Sequence, residues 1–122
     1  MPVVLIVDDS ATVRQQVKLA LSPAGFDVIE AVDGRAGLEM VENRSDIALV
    51  ISDVNMPRMN GIEMVTEIAN RRIRPGLPMV MLTTEGEPSL MKKAKEAGVA
   101  GWIIKPFQAP MLVAAAQKLA KG

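Results

Sequence analysis

Five short runs rich in β-branched and aliphatic residues recur along this chain: Val3–Val7, Asp27–Ala31, Ala48–Ser52, Met79–Leu82 and Trp102–Ile104. Three of them, VVLIV, ALVIS and MVML, leave no side for water. A strand that is apolar on both faces must be covered on both, as a parallel strand is when helices flank its sheet. The stretches between the runs have helical spacing. Val13, Val17, Ala20 and Leu21 fall on one helical stripe, as do Ile62, Val65 and Ala69, then Leu90, Ala94 and Ala97, then Leu112, Ala115 and Leu119. Punctuation agrees. Ser10 is placed to cap the first helix and Pro23-Ala24-Gly25 to end it. Asn60-Gly61 opens the third, Arg74-Pro75-Gly76 leaves it, and Pro88 suits the first turn of the fourth.

Strict alternation of strand and helix predicts a (βα)5 architecture: an α/β, doubly wound, five-stranded parallel sheet with right-handed crossovers, flavodoxin-like in class. The 122 residues are then used up by one domain, 1–122, with none left for an output domain. The start MPVVLIVDDS has no basic region before its apolar run, and Asp8 interrupts that run. No segment approaches the roughly 18 apolar residues of a membrane span. The expectation is a cytoplasmic protein with no membrane contact.

Composition narrows the chemistry. There are no cysteines and no histidines, so thiol nucleophiles, zinc ribbons, Ser-His-Asp triads and histidine phosphocarriers are excluded. Fourteen basic and fourteen acidic side chains balance, which argues against nucleic-acid binding by bulk charge. The run Arg71, Arg72 and Arg74 sits near a helix C-terminus, where cations are favoured in any case. Lys92, Lys93 and Lys95 read as a solvated helix face that can also meet an acidic partner.

In doubly wound sheets ligands bind beyond the carboxyl ends of the strands, beside the topological switch point. Here the first strand ends in Asp8-Asp9, the third in Asp53, the fourth in Thr83-Thr84 and the fifth in Lys105-Pro106. The second contributes nothing comparable. Three clustered carboxylates repel unless a cation joins them, and an all-oxygen donor set selects Mg²⁺ or a similar hard ion. Three carboxylates, one Mg²⁺ and Lys105 sum to zero formal charge. A phosphoryl group on Asp53 would take that residue to about −2, and the site to about −1. Neutral donors are then needed for the added oxygens. Thr83 and the backbone amides near Asn55 and Thr84 can supply them.

These residues carry a family likeness. VDDS at 7–10, DVNMPRMNG at 53–61, LTTE at 82–85 and KPF at 105–107 resemble the receiver domain of two-component response regulators, most of all the stand-alone chemotaxis regulators of the CheY type. The resemblance spans the chain, with four separated motifs in order. It implies a phosphorylation-switched module with Asp53 as phosphoacceptor. Asp9, Asp53 and the Asn55 backbone carbonyl would ligate Mg²⁺, with Asp8 assisting through water. Thr83 would hydrogen-bond the phosphoryl group and Lys105 would pair with it, aimed by a cis peptide before Pro106. Asn55 and Glu85 flank the path of attacking water and imply a short-lived phosphoryl state. Trp102 occupies the switch position, where Tyr or Phe is usual, and its larger indole would hinder an inward swing.

The implied partners are a sensor histidine kinase as phosphodonor and a downstream protein, such as a flagellar motor switch or another effector. The latter would be met by the face of the fourth helix, fifth strand and fifth helix. The resemblance implies a monomer with no enzymatic activity beyond its own phosphorylation and dephosphorylation. The rival is a Mg²⁺-dependent aspartyl-phosphate phosphohydrolase of the haloacid dehalogenase type. Such enzymes place a second Asp two residues after the nucleophile, where this chain has Asn55, and need a substrate cap.

Overall fold

The structure, a computed structural model, describes residues 1–120. Five strands, β1 (Val3–Val7), β2 (Asp27–Ala31), β3 (Ile47–Ser52), β4 (Met79–Thr83) and β5 (Gly101–Ile104), alternate with five helices. The helices are α1 (Ala11–Leu21), α2 (Gly34–Asn43), α3 (Gly61–Asn70), α4 (Pro88–Glu96) and α5 (Ala109–Leu119). The strands pair in parallel in the order β2-β1-β3-β4-β5. The expected (βα)5 sheet is therefore present, with three strands differing by one residue at one end.

The two apolar faces of the strands feed two separate cores. Val3, Leu5 and Val7 point to one side, where Leu38 and Val41 of α2, Met64, Val65 and Ile68 of α3 and Ala94 of α4 meet them. Val4 and Ile6 point to the other, against Val17 and Leu21 of α1 and Leu112 and Ala116 of α5. Alternation along a strand sends neighbouring side chains to opposite faces, so every residue of VVLIV is buried. Two helical stripes differ in phase from the sequence expectation. In α3, Met64 and Ile68 are buried while Ala69 is exposed; in α5, Ala116 is buried where Ala115 is only partly so.

The caps match the chemistry of helix ends. Ser10 accepts a hydrogen bond from the Val13 amide, at 3.3 Å. Gly25 follows a 3-10 turn over Ser22–Ala24 with φ of 97°, a left-handed conformation that glycine adopts freely. Asn60 and Glu63 form a reciprocal capping box. The Asn60 side chain accepts from the Glu63 amide at 2.8 Å, and the Glu63 side chain from the Asn60 amide at 2.9 Å. Asn60→Ala is expected to lose about 1 kcal/mol, seen as a fall of about 4 °C in thermal midpoint. An unchanged midpoint would show that solvent replaces the box. Among the described residues no helix is long and apolar enough to cross a membrane.

Candidate functional site

The strand order puts β1 and β3 side by side at the switch point, so the turns after them open onto one crevice. Asp8 follows β1, its backbone amide bonded to the Ala31 carbonyl at 3.1 Å. Its carboxylate accepts the Ser10 amide at 2.9 Å, and its carbonyl takes the Arg14 guanidinium at 2.7 Å. Asp53 follows β3 and is held in the same way. Its amide donates to the Val7 carbonyl at 2.9 Å, its own carbonyl accepts the Ser52 hydroxyl at 2.8 Å, and its Oδ1 accepts the Val54 amide at 2.7 Å. Two neighbouring strand ends thus fix the backbones of two acids before any ligand arrives.

Lys105 reaches into this crevice from the end of β5. Its Nζ donates to Asp8 Oδ2 at 2.9 Å and to Asp53 Oδ2 at 3.1 Å. Asp8 is almost fully buried, at 1% exposed, while Asp9 beside it is exposed. Burial lifts the Asp8 carboxyl above the ordinary carboxylate range, by more than the Ser10 amide and Lys105 lower it. Burial acts to lower the Lys105 ammonium, but its bonds to Asp8 and Asp53 together outweigh that and raise it. The peptide bond between Lys105 and Pro106 is cis, as expected.

Asp8, Asp9 and Asp53 can each offer one oxygen within 4.8 Å of the others. This all-oxygen donor set, with no nitrogen or sulfur, fits a hard divalent ion such as Mg²⁺. One lysine cannot neutralise three carboxylates, so the cluster retains a net negative charge that a divalent ion would offset.

The remaining expected residues divide into two groups. Thr83 is buried at the end of β4, its hydroxyl accepting the Glu85 amide at 3.1 Å. Thr84 and Asn55 are exposed, and the Asn55 amide approaches the Glu85 carboxylate at 3.4 Å. Trp102 lies on β5. Its half-buried ring packs against the core, and its indole N–H donates to the Glu85 carbonyl at 2.8 Å. Its ring nitrogen serves as donor, which ties β5 to the loop after β4.

Asp33, just beyond β2, was missed in the sequence. It is buried, caps α2 by accepting the Ala36 amide at 2.9 Å, and pairs with Arg58 at 2.9 Å. Its signal was an Asp-Gly immediately before a helix, which reads equally as an ordinary turn. Among the basic residues, Arg71 pairs with Glu42 at 3.1 Å, and Arg74 donates to the backbone carbonyls of Arg44 and Ile47.

Comparison with known proteins gives the same picture. The family model described as response regulator receiver domain matches residues 4–117. A chemotaxis protein CheY homolog of Campylobacter jejuni is 38% identical over 109 residues, covering 88% of this chain and 84% of the relative. The chemotaxis protein CheY1 of Helicobacter pylori strain J99 is 40% identical over 110 residues, covering 88% of each. The solved structure of Vibrio cholerae chemotaxis protein CheY4 superposes with a TM-score of 0.89 at 39% identity, covering 98% of both chains. None of this supports the haloacid dehalogenase alternative, which is set aside. With acids from two adjacent strand ends meeting a lysine from a third, and with these relatives, the chain belongs to the response regulator receiver domains, the phosphorylation-switched signalling modules that include the CheY-type chemotaxis proteins.

Proposed function

We propose that Asp53 is the phosphoacceptor and that the domain, spanning residues 1–122, signals by changing its affinity for a protein partner. The observation that carries this is the Lys105 ammonium hydrogen-bonded at once to Asp8 and Asp53. A lysine held there already faces the oxygen that would carry a phosphoryl group.

In the forward step a carboxylate oxygen of Asp53 attacks the phosphorus of an N-phosphorylated imidazole on a sensor histidine kinase. The P–N bond breaks, and the leaving nitrogen takes up a proton. A phosphohistidine donor lies outside these 122 residues, because they include no histidine. Asp9, Asp53 and the Asn55 carbonyl would hold Mg²⁺, with Asp8 assisting through water. A bound Mg²⁺ supplies charge neutralisation at the transferring group. Lys105 pairs with the new phosphoryl oxygens, while the Thr83 hydroxyl and the amides near Asn55 and Thr84 donate to them. In the reverse step water attacks phosphorus, releasing inorganic phosphate and restoring the carboxylate. Asn55 and Glu85 flank that path and favour a short lifetime.

Charge-assisted hydrogen bonds contribute roughly 1.5–3 kcal/mol each, so two contribute about 3–6 kcal/mol. Turning a 1:99 equilibrium to 99:1 takes about 5.5 kcal/mol. Phosphorylation alone therefore biases the switch, and partner binding completes it. The α4-β5-α5 face suits that partner. Met91, Ile104 and Met111 are exposed there, and Met91, Lys92 and Lys95 line a groove with Trp102. A flagellar motor component is one such effector, by likeness to the chemotaxis relatives.

Acetyl phosphate with Mg²⁺ tests the reading directly. Wild type is expected to gain the mass of one phosphoryl group, and Asp53→Asn or wild type in EDTA to gain none. The label should decay within minutes of donor removal. Gain of the same mass by Asp53→Asn would place the acceptor elsewhere, and persistence for many hours in Mg²⁺ would refute the role given to Asn55 and Glu85.

A further inference from the structure

The loop between β3 and α3 carries Asn55; Met56 and Met59 pack against the core, and most of the polar tethers of its middle come from one neighbour. Its two ends are pinned by backbone bonds, from the Asp53 amide to the Val7 carbonyl and from the Gly61 amide to the Val54 carbonyl. Between them, the Asn55 side chain makes a long contact of 3.4 Å to Glu85. The other tethers run to the turn between β2 and α2. The Gly34 amide donates to the Met59 carbonyl at 2.9 Å, and Arg58 Nε meets Asp33 Oδ2 at 2.9 Å.

Three features set the Asp33–Arg58 contact apart from an ordinary surface ion pair. The Asp33 side chain is 3% exposed, so its charge needs a partner, and its other oxygen is already committed to capping α2. Arg58 adopts φ of 67°, a left-handed conformation uncommon for a residue with a side chain, and it does so in the turn that brings its guanidinium to Asp33. The two loops also approach too closely for anything but glycine at position 34, where a Cβ would overlap the Met59 carbonyl. Strain, burial and close approach coincide at one contact between two loops.

We infer that Asp33 and Arg58 are positioning residues: they clasp the β3–α3 loop to the β2–α2 turn and so set the placement of the Asn55 carbonyl, and with it the Mg²⁺ affinity of the site. This rests on the reading of Asp9, Asp53 and Asn55 as the metal-holding set. Neither residue touches the metal or the phosphoryl group. Without the clasp the loop's centre samples other positions, and the Asn55 carbonyl is no longer presented for binding.

Two substitutions separate the clasp from simple folding effects. Asp33→Asn keeps a side chain that caps a helix as well as Asp does, but removes the charge facing Arg58. Arg58→Asn keeps a residue that tolerates left-handed φ, but removes the guanidinium. Mg²⁺ affinity by calorimetry, exchange of the Gly34 amide by NMR, and thermal midpoint are measured on each. Each variant is expected to bind Mg²⁺ about tenfold more weakly, the low end for loss of groups supporting a metal site. Gly34 amide exchange should quicken, with the midpoint moving by no more than a few degrees. The double variant should be no worse than the weaker single, and Arg58→Lys should recover part of the affinity. Affinities within twofold of wild type, or losses that simply multiply in the double variant, would overturn the inference. Should Asp33→Asn fail to fold, Arg58→Asn decides alone, since that side chain is 73% exposed. If wild type itself binds no Mg²⁺ and gains no phosphoryl group, it is the metal-holding set that fails.

Discussion

Lys105→Met is expected to lose about 3 kcal/mol at neutral pH without divalent cations, and to gain more from added Mg²⁺ than wild type does. Methionine keeps most of the apolar stem and removes only the charge. That charge touches two carboxylates, one of them nearly buried, and removing one member of a buried pair costs about 3–5 kcal/mol. The lower figure applies because Lys105 retains some exposure. The pH dependence has a definite sign. Asp8 has a folded pKa above its unfolded value, so its contribution is fully present at low pH and is lost as pH rises through the folded pKa. Removing Lys105 raises that pKa further. The deficit should therefore be largest near neutrality and shrink toward about pH 4. Lys105 is raised as well, so its contribution is fully present below 10.5 and lost as pH rises through its folded pKa. The two stability curves should thus also converge in strong alkali. Mg²⁺ at a hundredfold excess over its dissociation constant stabilises by about 2.7 kcal/mol, enough to offset most of the loss. Denaturant titration across pH, with and without Mg²⁺, checks this. A deficit independent of both would mean that Lys105 acts through its stem alone.

Gly61→Ala is expected to be as damaging for a different reason. Gly61 is the first residue of α3, where alanine would ordinarily gain about 0.5–1 kcal/mol. Here a Cβ would overlap the Asp53 carbonyl oxygen and lie 2.8 Å from the Met81 methyl. The methionine can turn aside, but the carbonyl belongs to the backbone of Asp53, whose amide is bonded to β1. Overpacking against such a neighbour costs about 3 kcal/mol or more, a fall of about 10 °C in thermal midpoint. The strain falls on Asp53, the proposed acceptor, so labelling by acetyl phosphate should slow in the same variant. Gly86→Ala is the control. Its Cβ would meet only the Ile104 Cδ1, at 3.9 Å, and its stability should stay within about 0.5 kcal/mol of wild type. A Gly61→Ala midpoint equal to that of Gly86→Ala would mean that the β3–α3 junction yields easily.

Much of the site could be read from the chain because its parts are local. A strand end is where an apolar run stops, and Asp8, Asp53, Thr83 and Lys105 each stand at or just beyond such a point. Helix phase was harder to read. Ile62, Met64, Val65, Ile68 and Ala69 all fall within about 160° of the circumference of α3, so stripes offset by a residue fit the same letters. Alanines weaken the signal further in α5. Only contact with the sheet selected Met64 and Ile68 over Ala69, and Ala116 over Ala115.

The sequence by itself determined the alternation of strands and helices and which residues end each strand, because periodicity and punctuation act over a few residues. It also excluded a phosphohistidine within these 122 residues, since no histidine is present. The tertiary structure decided which charges touch. Lys105 is 97 residues from Asp8 and 52 from Asp53, yet it bonds both. Asp33 finds Arg58, and the Trp102 indole finds the Glu85 carbonyl. Such pairings depend on how the loops lie across the carboxyl edge of the sheet, and a single chain's periodicity carries no record of that.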